Sequence, residues 1–201
     1  MSDWRTAPTL TGRHVTLRPL VRDDREALLA AMADGDLATL FYTFVPTPET
    51  ADAWLDKVFA ERDAGRVLPF AVIAADGQLS GTTRFMRMSE ADKRLEIGGT
   101  LYAKSVQRTG LNTEAKRLLL GYAFETLGCH SVQIRTGWHN RASRAAIERL
   151  GAKLDGVLRN HKIMPDGHLR DTVVYSIITE EWPGVRANLD WMMARHEEKS
   201  A

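Results

Sequence analysis

The residues Gln107-Arg108-Thr109-Gly110-Leu111-Asn112-Thr113 carry the sharpest chemical signal in the 201-residue chain. They lie between an extended apolar run, Leu95-Glu96-Ile97-Gly98-Gly99-Thr100-Leu101-Tyr102, and a pattern in which Ala115, Leu118, Leu119, Tyr122 and Ala123 share one helix face. A tight turn opening a helix leaves backbone N–H groups without internal partners. With the positive end of the helix dipole, these favour a nearby negative charge by roughly 0.3–1 kcal/mol per charge at exposed sites. Gly110 lets the backbone approach an anion closely, and Arg108 can add a charge-assisted bond. The turn therefore suits a pyrophosphate. Strand–glycine–helix connections are also common, and Asn112 or Thr113 reads equally well as a plain helix cap.

The elements that must position these groups follow from periodicity and turn residues. Residues 14–20 form a first strand with Val15 and Leu17 alternating inward, and Asp23-Asp24 opens a helix that Asp34-Gly35 closes. Residues 42–48 form a loop rich in aromatics and prolines, and a second helix covers 49–64. Segments 68–75 and 78–88 make a hairpin around Asp76-Gly77. After the strand of Glu96 come a helix over 113–127, a strand through Val132, Ile134 and Thr136, and a helix over 141–150. Two strands joined at Pro165-Asp166-Gly167 follow, the last over 172–178, and then a C-terminal helix over about 180–197 carrying Trp182, Val185, Leu189 and Met192. This order predicts an α/β (α+β) protein with one mixed sheet and helices on both faces. The whole chain, 1–201, is expected to be one domain with its core at about 10–178. Gly98-Gly99 inside a strand marks a bulge or the close approach of another group.

Composition narrows the classes. Lys+Arg 27 against Asp+Glu 26 gives no polybasic footprint for nucleic acid. The six histidines show no metal-ligand spacing, so no metal is expected, and a single cysteine cannot form an internal disulfide. Cys129 reads as a small core residue rather than a nucleophile. The N-terminus lacks a signal-peptide apolar region and no run approaches the ~20 apolar residues of a membrane span. A reducing cytoplasmic location and no membrane partner are the expectations.

Glu96-Ile97, the Gln-x-x-Gly-x turn that follows, and the long helix and strand after it resemble the acetyl-CoA-binding core of the GCN5-related N-acetyltransferases (GNAT family). Asn140-Arg141-Ala142-Ser143 with Ile147-Glu148-Arg149-Leu150-Gly151-Ala152 is similar to the next motif of that family. Residues 158–171 resemble the branch named after ribosomal-protein N-terminal acetyltransferases, many of whose members act on other amines. The resemblance spans about 10–178. It implies a mixed, mostly antiparallel sheet of about seven strands with a splayed strand pair. It further implies a pantetheine arm along Thr100, Leu101 and Tyr102, and a pyrophosphate at Gln107, Arg108, Thr109, Gly110, Leu111, Asn112 and Thr113. Asn140 would bond the arm, where a helix N-cap is an equal reading. Asn112 departs from the usual Gly or Ala, although Asn tolerates left-handed backbone and its amide can donate. Ile147 stands where many relatives have a tyrosine, and His161-Lys162 where some have a glutamate.

The implied reaction moves an acyl group from a thioester to an amine. A protonated amine must lose its proton before attack, which a carboxylate can accept directly or through water. Glu96 is the candidate base; strand alternation could instead send it to solvent as a surface charge. Asp171, in Arg170-Asp171, is a second carboxylate candidate, but an Arg–Asp structural pair is the preferred reading. Ser143, on the helix face of Ala146, Ile147 and Leu150, is the candidate acid for the leaving sulfur, and a small residue for close packing is the alternative. His161 could be a base, an acceptor contact or a partly exposed strand end. The 42–48 loop and Trp138-His139 are expected to border the acceptor pocket, or else to pack the C-terminal helix. A small-molecule amine and a protein or peptide N-terminal amine both stay open as acceptors. The rival class is a non-catalytic acyl-CoA-binding module, favoured by the missing tyrosine and opposed by Glu96 with Ser143. A homodimer would be ordinary for such a domain.

Overall fold

The computed structural model describes residues 3–35 and 37–198. Eight strands form one sheet in the order β1-β2-β3-β4-β5-β6-β8-β7. They are β1 (Leu10–Thr11), β2 (Val15–Pro19), β3 (Val67–Ala74), β4 (Leu79–Ser89), β5 (Arg94–Tyr102), β6 (Ser131–Gly137), β7 (Lys153–Ile163) and β8 (Leu169–Ile178). All pairings are antiparallel except β5 with β6. The helices are α1 (Arg25–Ala33), α2 (Ala51–Asp63), α3 (Gly110–Gly121), α4 (Arg141–Arg149) and α5 (Trp182–Glu198).

The strand count exceeds the expected seven because of β1, a two-residue strand that no periodicity could reveal. A carboxylate from elsewhere holds it. Glu114 of α3, buried, accepts the backbone N–H groups of Arg13, His14 and Val15 at 2.8, 2.6 and 3.0 Å. Charge-assisted bonds of this kind fix the turn into β2 where no side chain of its own could.

Two packed layers follow from strand alternation. Leu95 and Ile97 of β5, Val132 and Ile134 of β6 and Val173, Tyr175 and Ile177 of β8 join Leu119 of α3, Ile147 of α4 and Leu189 of α5 in the main core. The opposite face packs Leu55, Val58 and Phe59 of α2 on Ala71, and gathers Leu28 and Met32 of α1 with Leu101 and Leu79. Cys129 is 2% exposed, and burial pushes its thiol up to about 12, so it is a core residue.

Two irregularities shape β5. Its register against β4 shifts by one between Thr82↔Leu101 and Arg84↔Gly98. Gly99 absorbs the extra residue at φ +56, a left-handed value suited to glycine. The bulge returns Thr100 and Tyr102 to the α3 face and sends Leu101 to the other. The second irregularity is the end of pairing with β6, which covers only Arg94↔Ser131, Leu95↔Val132 and Glu96↔Gln133. Beyond that point β5 runs on to Tyr102 and β6 to Gly137 without pairing to each other. The two strands splay.

Candidate active site

Glu96 is the last residue of β5 that pairs with β6, at the apex of the splay. Its neighbours Leu95 and Ile97 enter the main core, so its own side chain emerges on the α1/α2 face. It is 5% exposed, which removes the surface-charge alternative. Its Oε2 lies 3.0 Å from Arg87 Nε and 3.1 Å from Arg135 Nε, ion pairs without hydrogen-bond alignment at the buried oxygen. Its Oε1 lies over Gly98, where a Cβ would come within 3.0 Å of it. Burial raises the carboxyl above its ordinary range, and the nearby charges of Arg135, Arg87 and Lys162 only partly offset this.

The turn after β5 departs from expectation at its helix boundary. α3 begins at Gly110, not Thr113, because Thr109 takes the N-cap: its Oγ1 accepts from Leu111 N–H at 3.3 Å and donates to Val106 carbonyl oxygen at 2.7 Å. With Thr109 as cap, the amides of 109–112 have no acceptor inside the helix. Asn112 and Thr113 thus lie within the first turn rather than capping it. The Leu111 side chain enters the core and the Thr113 hydroxyl is buried without a partner, which leaves Leu111 only its backbone to offer a ligand. The room left by Gly110 is toward the His14 ring, 3.3 Å from where a Cβ would stand. The glycine therefore answers to that packing too. Arg108 is exposed at φ +64. Gln107 Nε2 donates to Tyr102 carbonyl oxygen at 3.1 Å and ties the turn to the strand end.

Along the splayed part of β5, Thr100 Oγ1 contacts Thr83 Oγ1 at 2.8 Å and accepts from Lys116 Nζ at 3.1 Å. The Tyr102 hydroxyl is buried with no partner, and burial raises its pKa. Lys116, which motif and spacing did not single out, joins the candidate site through Thr100. It is 6% exposed, and burial pulls its ammonium down to about 8. The signal was present, since Lys116 shares its helix stripe with Thr113, Leu119 and Leu120.

Across the splay, Asn140 caps α4: its Oδ1 accepts from Ser143 N–H at 3.0 Å. Ser143 is half-buried on the face of the buried Ile147 and Leu150. The helix is tied down by Tyr175 of β8, whose hydroxyl donates to Glu148 Oε1 at 2.7 Å and accepts from Arg144 Nε at 3.3 Å. Asp171 is paired, with Arg159 rather than the adjacent Arg170, at 2.6 Å, and it accepts from Asn160 N–H at 2.7 Å. His161 Nδ1 lies 3.0 Å from Thr172 Oγ1. The Phe41 ring, just before the 42–48 loop, sits 6.0 Å from His139 and 5.7 Å from His168. The loop region, the Trp138-His139 turn and the β7–β8 hairpin thus meet above the α1/α2 face.

A sheet whose central parallel pair opens, followed by a helix start with unpaired amides, is the frame of an acyl-CoA-dependent acetyltransferase. The sequence agrees: residues 14–153 match the family model described as "Acetyltransferase (GNAT) domain". The chain belongs to the GNAT family of N-acetyltransferases, and acetyl transfer to amines is its class of reaction. "Putative ribosomal N-acetyltransferase YdaF" of Bacillus subtilis (strain 168) is 29% identical over 85% of this chain and 94% of that protein. A GCN5-related N-acetyltransferase from Brucella melitensis superposes with a TM-score of 0.84 at 29% identity, covering 92% of this chain and 85% of that one. Mycobacterium smegmatis RimJ in complex with CoA-disulfide shares the fold, with a TM-score of 0.75 at 24% identity over 92% of this chain and 93% of its own. Among the described residues no helix is long and apolar enough to cross a membrane, and no group of His, Cys, Asp and Glu could hold a metal ion.

Proposed function

We propose that the whole chain acts as one acetyl-CoA-dependent N-acetyltransferase unit that moves an acetyl group to a primary amine by direct attack in a ternary complex. The observation that carries this reading is the splay: β5 and β6 stop pairing at Glu96 and Gln133 while both strands continue. The open edge of β5, through Thr100, Leu101 and Tyr102, offers backbone groups to the amides of a pantetheine arm. The amides at the start of α3 that the Thr109 cap does not take, and the side chains of Gln107, Arg108 and Asn112, suit the pyrophosphate. The buried, unpartnered Tyr102 hydroxyl supports the same reading, because orphaned polar atoms in a folded interior call for a ligand.

When bound, acetyl-CoA supplies the activated acetyl group as a thioester. Glu96 takes the amine proton at Oε1, while Arg87 and Arg135 hold Oε2 in place. The raised carboxyl is closer to the operating pH than an ordinary glutamate and so is a better-matched base. As the nitrogen bonds to the acetyl carbon, the C–S bond breaks, Ser143 Oγ–H gives its proton to the departing sulfur, and the second proton shed by the nitrogen as it becomes an amide restores the serine hydroxyl. Asn140 fixes the Ser143 backbone and thereby the start of α4.

Titrating acetyl-CoA calorimetrically and then following thiol release with an amine panel tests the proposal. Micromolar binding together with amine-dependent thiol release is the expected result. Binding without release on any amine would leave a non-catalytic acyl-CoA-binding module, and no binding would reject the cofactor assignment.

A further inference from the structure

The acceptor side of the splay holds far more positive than negative charge. Around the single buried carboxylate of Glu96 stand Arg87 and Arg135, which contact it, and Lys162 and Arg170, which contact no carboxylate among the described residues. Arg84 packs nearby, its guanidinium 5.3 Å over the Trp54 ring, with a buried and unpartnered Nε. Lys162 and Arg170 are direct cross-strand partners in the β7–β8 ladder, so their side chains leave the same face. Like charges in that position are destabilising. Nothing in the hairpin relieves the repulsion: Asp171 is taken by Arg159, and Asp166 by His168.

Arg170 is directed inward. Its Nε would lie 2.9 Å from a Cβ on Gly137 of β6, and it is buried without a hydrogen-bond partner. Burial, followed by the charges of Arg170 and Arg87, lowers the pKa of Lys162. A fold that sets the exposed Lys162 opposite a half-buried Arg170 whose Nε is sealed from solvent, beside an excess of arginine, is arranged for an anion that no described residue supplies.

Resting on the acetyltransferase reading above, we infer that Lys162 and Arg170 form an anion-binding site in the acceptor pocket, and that the acceptor is a small amine bearing a carboxylate or phosphate. The small size follows from the position of the cations. Arg170 lies two residues after His168, against whose ring Phe41 packs, and the Arg170 Nε does not reach the surface. Glu96 then faces the amine and the two cations face the acid, a division of labour that holds the acceptor in one orientation. A polycationic amine meets repulsion at the same place.

Two measurements test this. The first compares turnover at saturating acetyl-CoA for matched amines: α-amino acids against their amides, phosphoethanolamine against ethanolamine, and spermidine. The carboxylate and phosphate pairs separate the two kinds of anion. The anionic member of at least one pair should show kcat/KM about 100-fold or more above its neutral counterpart, and Arg170→Gln should raise its KM at least about tenfold. The second needs no turnover: calorimetric titration of N-acetyl amino acids and of inorganic phosphate into the CoA-loaded protein. Binding that is lost in Arg170→Gln and Lys162→Gln, while both variants melt at or above the wild-type temperature, supports the site. A purely structural role would lower the melting temperature instead. Equal or better turnover of neutral amines, peptides or spermidine overturns the inference, as does the absence of anion binding by a protein that binds acetyl-CoA. A protein that fails to bind acetyl-CoA points instead to the acetyltransferase reading.

Discussion

At the scale of single residues the site depends on charges placed where the fold gives them few partners. Asn112 sits in the first turn of α3 with its Oδ1 buried and unpaired, and no acidic residue occupies that turn. Asn112→Asp keeps the shape and adds a negative charge that the helix dipole tolerates. Fold stability should stay level or rise slightly, while acetyl-CoA binding weakens about tenfold through repulsion of the phosphates. Calorimetry with a parallel melting curve reads both, and unchanged affinity would remove the pyrophosphate from this turn. Glu96→Gln probes the base. A neutral isostere should cut kcat by about 10²–10⁴. The wild-type acid limb should lie above the ordinary glutamate range, because burial disfavours the carboxylate that must accept the proton, and the variant should lose that limb. A pH–rate profile from pH 5 to 9 distinguishes this from loss of the Arg87 and Arg135 contacts alone, which would lower the rate without removing the limb.

At the scale of elements, β5 decides what faces the cofactor. Gly99 stands at φ +56, and a Cβ there would fall 2.2 Å from Arg84 Nε. Gly99→Ala should cost about 1–3 kcal/mol in urea unfolding, from backbone strain and the displaced arginine. It should weaken acetyl-CoA binding as well, because the bulge is what turns Thr100 and Tyr102 toward α3. A variant as stable as wild type would mean that the strand has another route past Arg84. The bulge was legible, since paired glycines weaken an apolar strand and settle where its regular pairing breaks. So were the hairpin at Asp76-Gly77, where Gly77 has φ +85, and the α5 stripe, whose Trp182, Val185, Leu189 and Met192 are all buried. The start of α3 lies three residues before the expected Thr113, because Asn112 and Thr113 are good caps by type and only geometry shows Thr109 capping. The opposition of Lys162 and Arg170 could not be read from the sequence at all. It depends on a register shift between Leu158 and Lys162, where Asn160 takes φ +49 and long-range pairing decides which residues meet. Local pattern fixes which elements form; contacts between distant elements fix which charges become neighbours.

At the scale of the whole molecule a net charge of +1 conceals uncompensated cations on both faces of the splay. On the α1/α2 face they surround Glu96. On the α3 face Lys116 bonds one threonine hydroxyl and pairs with no carboxylate among the described residues, so burial pulls its proton affinity down to about 8 against an ordinary 10.5. The consequence belongs to global stability. Between pH 8 and 10.5 the unfolded chain keeps a proton on this lysine that the folded chain releases. The unfolded state therefore binds more protons, and the stability contributed by this site rises with pH through that window, by at most about 3 kcal/mol. Below pH 8 both states are protonated and the cost of the buried charge is present in full. Other lysines and the tyrosines also titrate in this range, so the wild-type curve alone does not isolate the effect. Lys116→Met does. It gives up the bond to Thr100, worth about 1 kcal/mol, and removes the buried charge. Urea unfolding at pH 7, 9 and 10.5 should find the variant more stable than wild type at pH 7, with the advantage shrinking or reversing by pH 10.5. A difference independent of pH would show that Lys116 keeps its ordinary affinity for the proton, and that water or a movement of α3 relieves its burial. Acetyl-CoA should narrow the same difference at pH 7 if its phosphates lie close enough to serve as the missing counter-charge, because the ligand then stabilises wild type more than the variant.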